Sequence, residues 1–180
     1  MSVYSNGLDD AQVHSADAYE DAKSVGNGFT FRHDLRTKEE WRAGLDFLSE
    51  DVGRRLRKKG LKCSTVQITI KDEYLRSIQR QKSQNPPTDI SSEIAETAYE
   101  LLLSSWQDGK PIRMLTITAS NLANSNTLTE QMDFFAEQGD EKRDKKRKAE
   151  DTVDKIRQKH GSAAIVKGFA LNDDLGIFPQ

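Results

Sequence analysis

The chain has 180 residues, of which 35% are hydrophobic and 31% charged. That suits one domain with appendages or two small domains, with part of the chain outside any core. No run of 18 apolar residues exists, which excludes a membrane-spanning helix, and the opening MSVYSNGLDD has neither the basic flank nor the apolar stretch of a secretory signal. Cys63 is the single cysteine, and His14, His33 and His160 are scattered. An intrachain disulfide and a zinc site are therefore excluded, and a reducing, cytoplasmic location is expected. The net charge of −2 is unevenly spread: residues 1–21 carry five acids and no base, residues 22–122 carry 17 Lys and Arg against 13 Asp and Glu, and residues 123–180 are nearly balanced. A nucleic-acid-binding face in the middle segment must come from placement, not from bulk charge.

Residues 1–22 are polar, acidic and aperiodic, and read as a linker. From Lys23 to Asp34, Phe29 and Phe31 alternate with Thr30 and Arg32, a strand signal. Thr37 and Glu40 form a capping-box pattern, followed by Trp41, Leu45, Leu48, Val52 and Leu56 at helical spacing up to Gly60. The period switches to two at Leu61: Val66, Ile68 and Ile70 face one way, and Thr65, Gln67, Thr69 and Lys71 the other. After a turn near Asp72-Glu73 a polar strand is predicted from Ser77 to Ser83, ended by Pro86-Pro87. Asp89 or Ser91 caps a second helix with Ile94, Ala98, Leu101, Leu102 and Trp106 as its apolar stripe and Gly109 as its stop. Ile112 to Ala119 is the last strand, with Leu115 and Ile117 inward and Thr116 and Thr118 outward. The expected fold is α+β in the order β-α-β-β-α-β: a four-stranded antiparallel sheet with two helices on one face and a charged C-terminal helix and tail. Gln131 to Phe135 sits in a short apolar island, Glu137 to Lys159 reads as a solvated helix paired with itself, and the tail from Gly161 reads as partly ordered at best.

Several of these segments carry more than a pattern. They are Lys23-Ser24-Val25-Gly26, Thr30 with Asp34-Leu35, Arg80-Gln81-Lys82-Ser83 ahead of Asp89-Ile90-Ser91, and Ile112-Arg113-Met114-Leu115. In this order and spacing they resemble the little finger, the C-terminal domain of Y-family lesion-bypass DNA polymerases, over residues 4–135. Asp154-Lys155-Ile156-Arg157 and His160-Gly161 are similar to the ends of the bacterial UmuC-like (ImpB/MucB/SamB) branch. The resemblance implies a division: 1–22 as the thumb end and linker, 23–122 as the DNA-binding little finger, 123–136 as a clamp-binding segment, and 137–180 as the charged helix and tail. It further implies that the metal-binding carboxylates, with their magnesium, lie in a palm domain outside this chain. The partners implied are primer-template duplex, a bacterial sliding clamp and the catalytic core of the parent translesion polymerase, in DNA repair and the SOS response. The sequence departs from the family where Met114 follows Arg113 and Thr116 stands in the place of a common glycine.

A face that moves along DNA of any sequence contacts phosphates rather than base edges, using cations, hydroxyls and free amides. The exposed sheet face is expected to offer Lys23, Ser24, Thr30, Arg32, Thr69, Lys71, Arg80, Lys82, Ser83, Arg113 and Thr118, and Gly26 to let a phosphate approach the main chain. With roughly four neutralised phosphates, binding should fall with salt at a slope of about −4. Gln131-Met132-Asp133-Phe134-Phe135 resembles the clamp-binding peptide, a glutamine followed by an aliphatic side chain and two apolar anchors. The cations of Arg54 to Lys59 and of Lys142 to Lys148 read as solvated helix surfaces. No enzyme chemistry is expected of the chain itself: its acids lie on helix surfaces and linkers, and His33 and His160 are far apart. The alternative class is a protein-interaction scaffold using the polar sheet face and the charged helix. Steep salt dependence without sequence preference separates the two. An RNA-binding sheet wants exposed aromatics at its centre and is disfavoured unless Phe29 or Phe31 faces outward.

Overall fold

The computed structural model describes residues 22–124, 140–161, 164–166, 168 and 175–176. The elements are β1 (Ser24–Leu35), α1 (Lys38–Lys58), β2 (Leu61–Lys71), β3 (Ser77–Thr88), α2 (Ser91–Ser105), β4 (Ile112–Asn124) and α3 (Asp140–His160). The four strands form one antiparallel sheet in the order β1-β4-β2-β3, so the last strand lies between the first two. The fold is the α+β arrangement that the periodicities predict.

Alternation in the strands decides which face is covered. Val66, Ile68 and Ile70 of β2 stand beside Ala119, Ile117 and Leu115 of β4, and all six are buried. Trp41, Leu45, Leu48, Val52 and Leu56 of α1, and Ile94, Ala98 and Leu102 of α2, close over them. Each valine, leucine or isoleucine among them contributes about 1.5–3 kcal/mol on burial. Phe31 is buried and Phe29 packs edge-on against it at 5.4 Å and against Phe47 at 5.5 Å, so both rings belong to the helix-covered side. The condition that would favour an RNA-stacking sheet is therefore not met. Leu175 from the tail is also buried in this core.

Thr37 caps α1 as expected: its hydroxyl accepts from the Glu40 amide at 3.2 Å, and the Glu40 carboxylate accepts from the Thr37 and Arg36 amides at 3.0 and 2.7 Å. Two local expectations are corrected. Pro86-Pro87 do not end β3, which continues to Thr88, and the Asn85-Pro86 bond is cis. Both prolines fall in the irregular stretch of this edge strand between Ser83 and Thr88, where the register with β2 shifts, so their missing N–H groups lie outside the regular ladder. Nor is α2 capped by Asp89 or Ser91: its N-cap is Ile90, with no side-chain cap bond. The orphan amides are taken instead by a carboxylate on α3. Glu150 accepts from Ser91 N at 2.8 Å and Ser92 N at 3.3 Å.

α3 is the larger surprise. A stripe of its charges pairs with the domain rather than being spent within the helix. Residues 143, 147, 150, 154 and 157 recur at the four-then-three spacing usually held by apolar side chains, and each bonds to the domain. Arg143 donates to Glu93 at 2.7 Å, Arg147 to Asp89 at 3.0 Å, and Arg157 pairs with Glu50. Arg57 of α1, whose side chain is 5% exposed, donates to Glu150, to Asp154 at 2.7 Å and to the Asp89 carbonyl at 2.7 Å. The basic run at the end of α1 is therefore not simply solvated. Arg57 is consumed in this seam, Arg54 pairs with Asp51, and Arg55 donates to the Gly26 carbonyl at 2.7 Å.

Candidate nucleic-acid interface

The uncovered sheet face follows from the register alone. Reading across β1, β4, β2 and β3, its rows are Ser24-Ser120-Thr65-Ser83, Gly26-Thr118-Gln67-Gln81, Gly28-Thr116-Thr69-Gln79 and Thr30-Met114-Lys71-Ser77. These positions are hydroxyls, amides and glycines, with one thioether and one cation, Lys71. Among the described residues no aromatic ring stands in these rows. Among the described residues the face is donor-rich, carries almost no formal charge, and has no helix packed on it.

Six of the expected residues meet in this lattice with Gly26: Ser24, Thr30, Thr69, Lys71, Ser83 and Thr118. Arg80 and Lys82 do not. Arg80 is paired with Ile68 and Lys82 with Val66, so both stand on the helix-covered side of the edge strand. Lys82 Nζ lies 2.5 Å from Glu100 on α2, and Arg80 donates to the Gln79 carbonyl at 2.7 Å. A hairpin's side-chain parity is fixed by its loop, so the two cations and Ser83 could never share a face. Arg113 stands at the start of β4 with Nη1 3.6 Å from Asp34. Arg32 lies in the irregular stretch of β1 between Thr30 and Leu35, against Gly176. Lys23 is exposed just ahead of β1. The cations thus sit around the rim and the centre is neutral.

Gly26 is half-buried and lies beside Thr118 in the lattice. A Cβ built there would lie 3.0 Å from Thr118 Oγ1, and one on Gly28 would lie 2.5 Å from Thr116 Oγ1. The two glycines make room for the threonine hydroxyls of β4. Gln67, Gln79, Gln81, Thr116 and Ser120 belong to the face and were not among the expected residues. The signal for them was available, because Lys71 and Ser77 flank a short loop and pair with one another, which sets every later position of β3. Gln131, Met132, Asp133, Phe134 and Phe135 lie outside the described residues.

At the end of the lattice nearest Lys71, the turn between β2 and β3 is built on Asp72. Its side chain is 2% exposed and accepts from the Tyr74 amide at 3.0 Å, the Arg76 amide at 2.9 Å and Arg76 Nε at 3.1 Å. Burial works to raise this carboxyl, but the hydrogen bonds and the charge of Arg76 outweigh it and hold it below the usual aspartate value. On the covered side, desolvation pushes the Cys63 thiol up to about 12, so it stays protonated and is a packing residue.

The family described as the impB/mucB/samB family C-terminal domain matches residues 22–134. A DNA polymerase IV of Acetivibrio thermocellus is 39% identical over 170 residues, covering 94% of this chain and 42% of that protein. A DNA polymerase IV of Clostridium kluyveri is 34% identical over 169 residues, covering 92% and 42%. The chain therefore spans about two fifths of the length of these curated relatives. A solved complex of a beta-clamp processivity factor and the little finger domain of PolIV aligns at a TM-score of 0.46 and 18% identity, over 54% of this chain and 86% of that one.

Proposed function

This chain belongs to the impB/mucB/samB C-terminal domain family, and from that premise we propose that it is the duplex-gripping module of a lesion-bypass DNA polymerase. The observation that carries the reading is the uncovered lattice: four strands wide, rich in hydroxyl and amide donors, neutral at its centre and cationic at its rim. Such a surface suits phosphate and sugar, which are the same at every base pair, because a broad array of short hydroxyl and amide donors can follow the backbone without arginine forks to hold one base sequence. Thr30, Thr69, Thr118, Ser24 and Ser83 donate hydroxyl hydrogen bonds to the phosphodiester backbone. Lys71 supplies charge on the face, and Lys23, Arg32, Arg80, Lys82 and Arg113 supply it where the strands of a curved duplex pass the rim. A neutral centre keeps the grip weak enough to slide, and few released counterions mean a shallow salt slope of about −4.

A weak grip works when something else holds the enzyme at the primer end. We assign that to Gln131, Met132, Asp133, Phe134 and Phe135 as a peptide for a bacterial sliding clamp, which raises local concentration without new DNA contacts. Catalysis, and the magnesium it needs, are assigned to the part of the longer relatives that lies outside the match, whose products act in repair and in the response to damage.

Fluorescence anisotropy of a labelled duplex at low and moderate salt tests the grip. Wild-type chain should bind with a slope near −4 and no sequence preference. The Gln67→Glu/Thr118→Glu variant, which puts two carboxylates in the middle of the lattice, should lose the binding. Unchanged affinity in that variant would remove the sheet face from the account. Surface plasmon resonance against an immobilised bacterial clamp, with a Gln131→Ala/Phe134→Ala/Phe135→Ala variant, tests the peptide. That variant should lose clamp binding and keep its DNA affinity.

A further inference from the structure

The loop between β2 and β3 is Glu73-Tyr74-Leu75, closed by Asp72 N bonding to Arg76 O at 3.0 Å and Leu75 N to Asp72 O at 3.0 Å. This is the three-residue hairpin in which a turn is followed by a residue in the left-handed region, a position suited to glycine. Here it is a leucine, with φ of 64°. Leu75 is 69% exposed and its neighbour Tyr74 70%, the two most exposed large apolar side chains among the described residues. The fold gains little from burying either. A glycine at position 75 would relax the backbone, and exposed leucine and tyrosine bury little. Yet the loop is held firmly by the Asp72 carboxylate, and the Arg76 guanidinium lies 5.1 Å over the Tyr74 ring. Strain and exposed apolar surface, fixed in place by a buried acid, mark a contact site rather than a stability device.

The site's partner is set by what surrounds it. The loop projects from the end of the lattice bounded by Lys71, Ser77 and Met114, and Lys110 Nζ is 3.6 Å from the same Asp72 carboxylate. An apolar tip flanked by Lys71, Arg76 and Lys110 fits a duplex groove, where sugar C–H groups and stacked base steps offer apolar surface and the walls are phosphate. The geometry points to a second DNA element: the Tyr74-Leu75 tip enters a groove of the same duplex that lies on the sheet, while Arg76 stays paired with Asp72 and holds the loop. The inference rests on the sheet being a duplex grip and adds a contact of a different kind, apolar and independent of salt.

That difference makes it testable apart from the grip. Duplex affinity of the full chain is measured by anisotropy on blunt DNA across a salt series, for wild type, Leu75→Gly, Leu75→Asn, Tyr74→Ala and Lys71→Ala, with a thermal melt of each. Both replacements at position 75 accept the left-handed backbone, so they should melt at or above the wild-type temperature. They should nonetheless bind duplex roughly tenfold more weakly. Tyr74→Ala should weaken binding similarly. None of these three should change the salt slope, whereas Lys71→Ala should lower it by about 0.9. Unchanged affinity in the position-75 and Tyr74 variants would overturn the groove contact while leaving the sheet grip standing, and would point to a protein pocket for the tip. A changed salt slope in Leu75→Gly would overturn it too. Absence of duplex binding by the wild-type chain would sink the sheet reading and this one with it.

Discussion

Two surfaces of this small domain use polar side chains in opposite ways. On the open sheet face, hydroxyls and amides stand in register with almost no charge among them. Under α3, on the helix side, arginines and carboxylates are packed into mutual bonds until Arg57 is 5% exposed. Charge that is satisfied internally stabilises and is unavailable to a partner; neutral donors left facing water cost the fold little and remain available. The contrast shows why counting basic residues was a poor guide. Much of the basic content of α1 and α3 is spent on the molecule's own acids, and the face proposed to grip DNA is nearly neutral.

The sharpest way to break the comparison is at Arg57. Its removal leaves Glu150 and Asp154 facing each other without a cation, and the Asp89 carbonyl and Ser91 hydroxyl lose their donor. Arg57→Ala should destabilise the domain by about 3 kcal/mol in urea unfolding. Duplex affinity under folding conditions should hold, because none of these groups lies on the sheet face. Loss of DNA binding without loss of stability would mean that the ionic seam is part of the interface after all.

Glu150 comes next. It serves as counter-ion to Arg57 and as the cap of α2. Glu150→Gln keeps an acceptor but removes the charge that favours a helix N-terminus, so about 1 kcal/mol should go. The loss should be local: exchange of the Ser91 and Ser92 amides should speed up more than that of the β2 amides. Uniform acceleration would show that the cap and the core unfold as one unit.

Element order was legible in the sequence because it rests on apolar periodicity, which α1, β2 and β4 display plainly. What the sequence reading missed has one cause, pairing between distant residues. The partner of the α2 amides is 59 positions away, so no local cap pattern announces it. Residues 143, 147, 150, 154 and 157 form a helical stripe as regular as that of α1. It is built of charge, so a search for apolar spacing passes over it and finds only a solvated helix. Arg80 and Lys82 looked like sheet-face residues because they stand in a polar strand, yet on an edge strand both faces are polar. The register with Ile68 and Val66 separates them from Ser83.

A smaller effect follows from acid. Burial works to raise the Glu93 carboxyl, but the Arg143 bond, the Thr88 hydroxyl and the charges of Arg143 and Lys146 outweigh it and hold it below its ordinary 4.5. A depressed carboxyl contributes stability that is fully present above the unfolded value and is lost as pH falls through the folded one. Docking of α3 should therefore be flat from neutral pH down to about 4.5 and weaken below it. Limited proteolysis after the basic residues of α3 would follow this, using an acid-tolerant protease. Glu93→Gln should remove that part of the pH dependence, and an unaltered profile would show that Glu93 is not its source.

The smallest effect lies where the two regions meet, at the Lys82–Glu100 pair on the rim. Both side chains are about half exposed, at 53% and 52%, so the pair is worth less than about 0.5 kcal/mol to the fold, and Lys82→Ala should leave the melting temperature nearly unmoved. For DNA the same pair matters in the opposite sense. Glu100 holds the ammonium on the helix side and partly cancels it, so Glu100→Gln should free Lys82 and tighten duplex binding at low salt. Lys82→Ala should lower the salt slope by about 0.9 if a phosphate is neutralised there. With both substitutions together the gain from Glu100→Gln should vanish, because it acts only through the lysine. A gain that survives the loss of Lys82 would come from general repulsion by the acid, and the rim of β3 would then carry no phosphate contact.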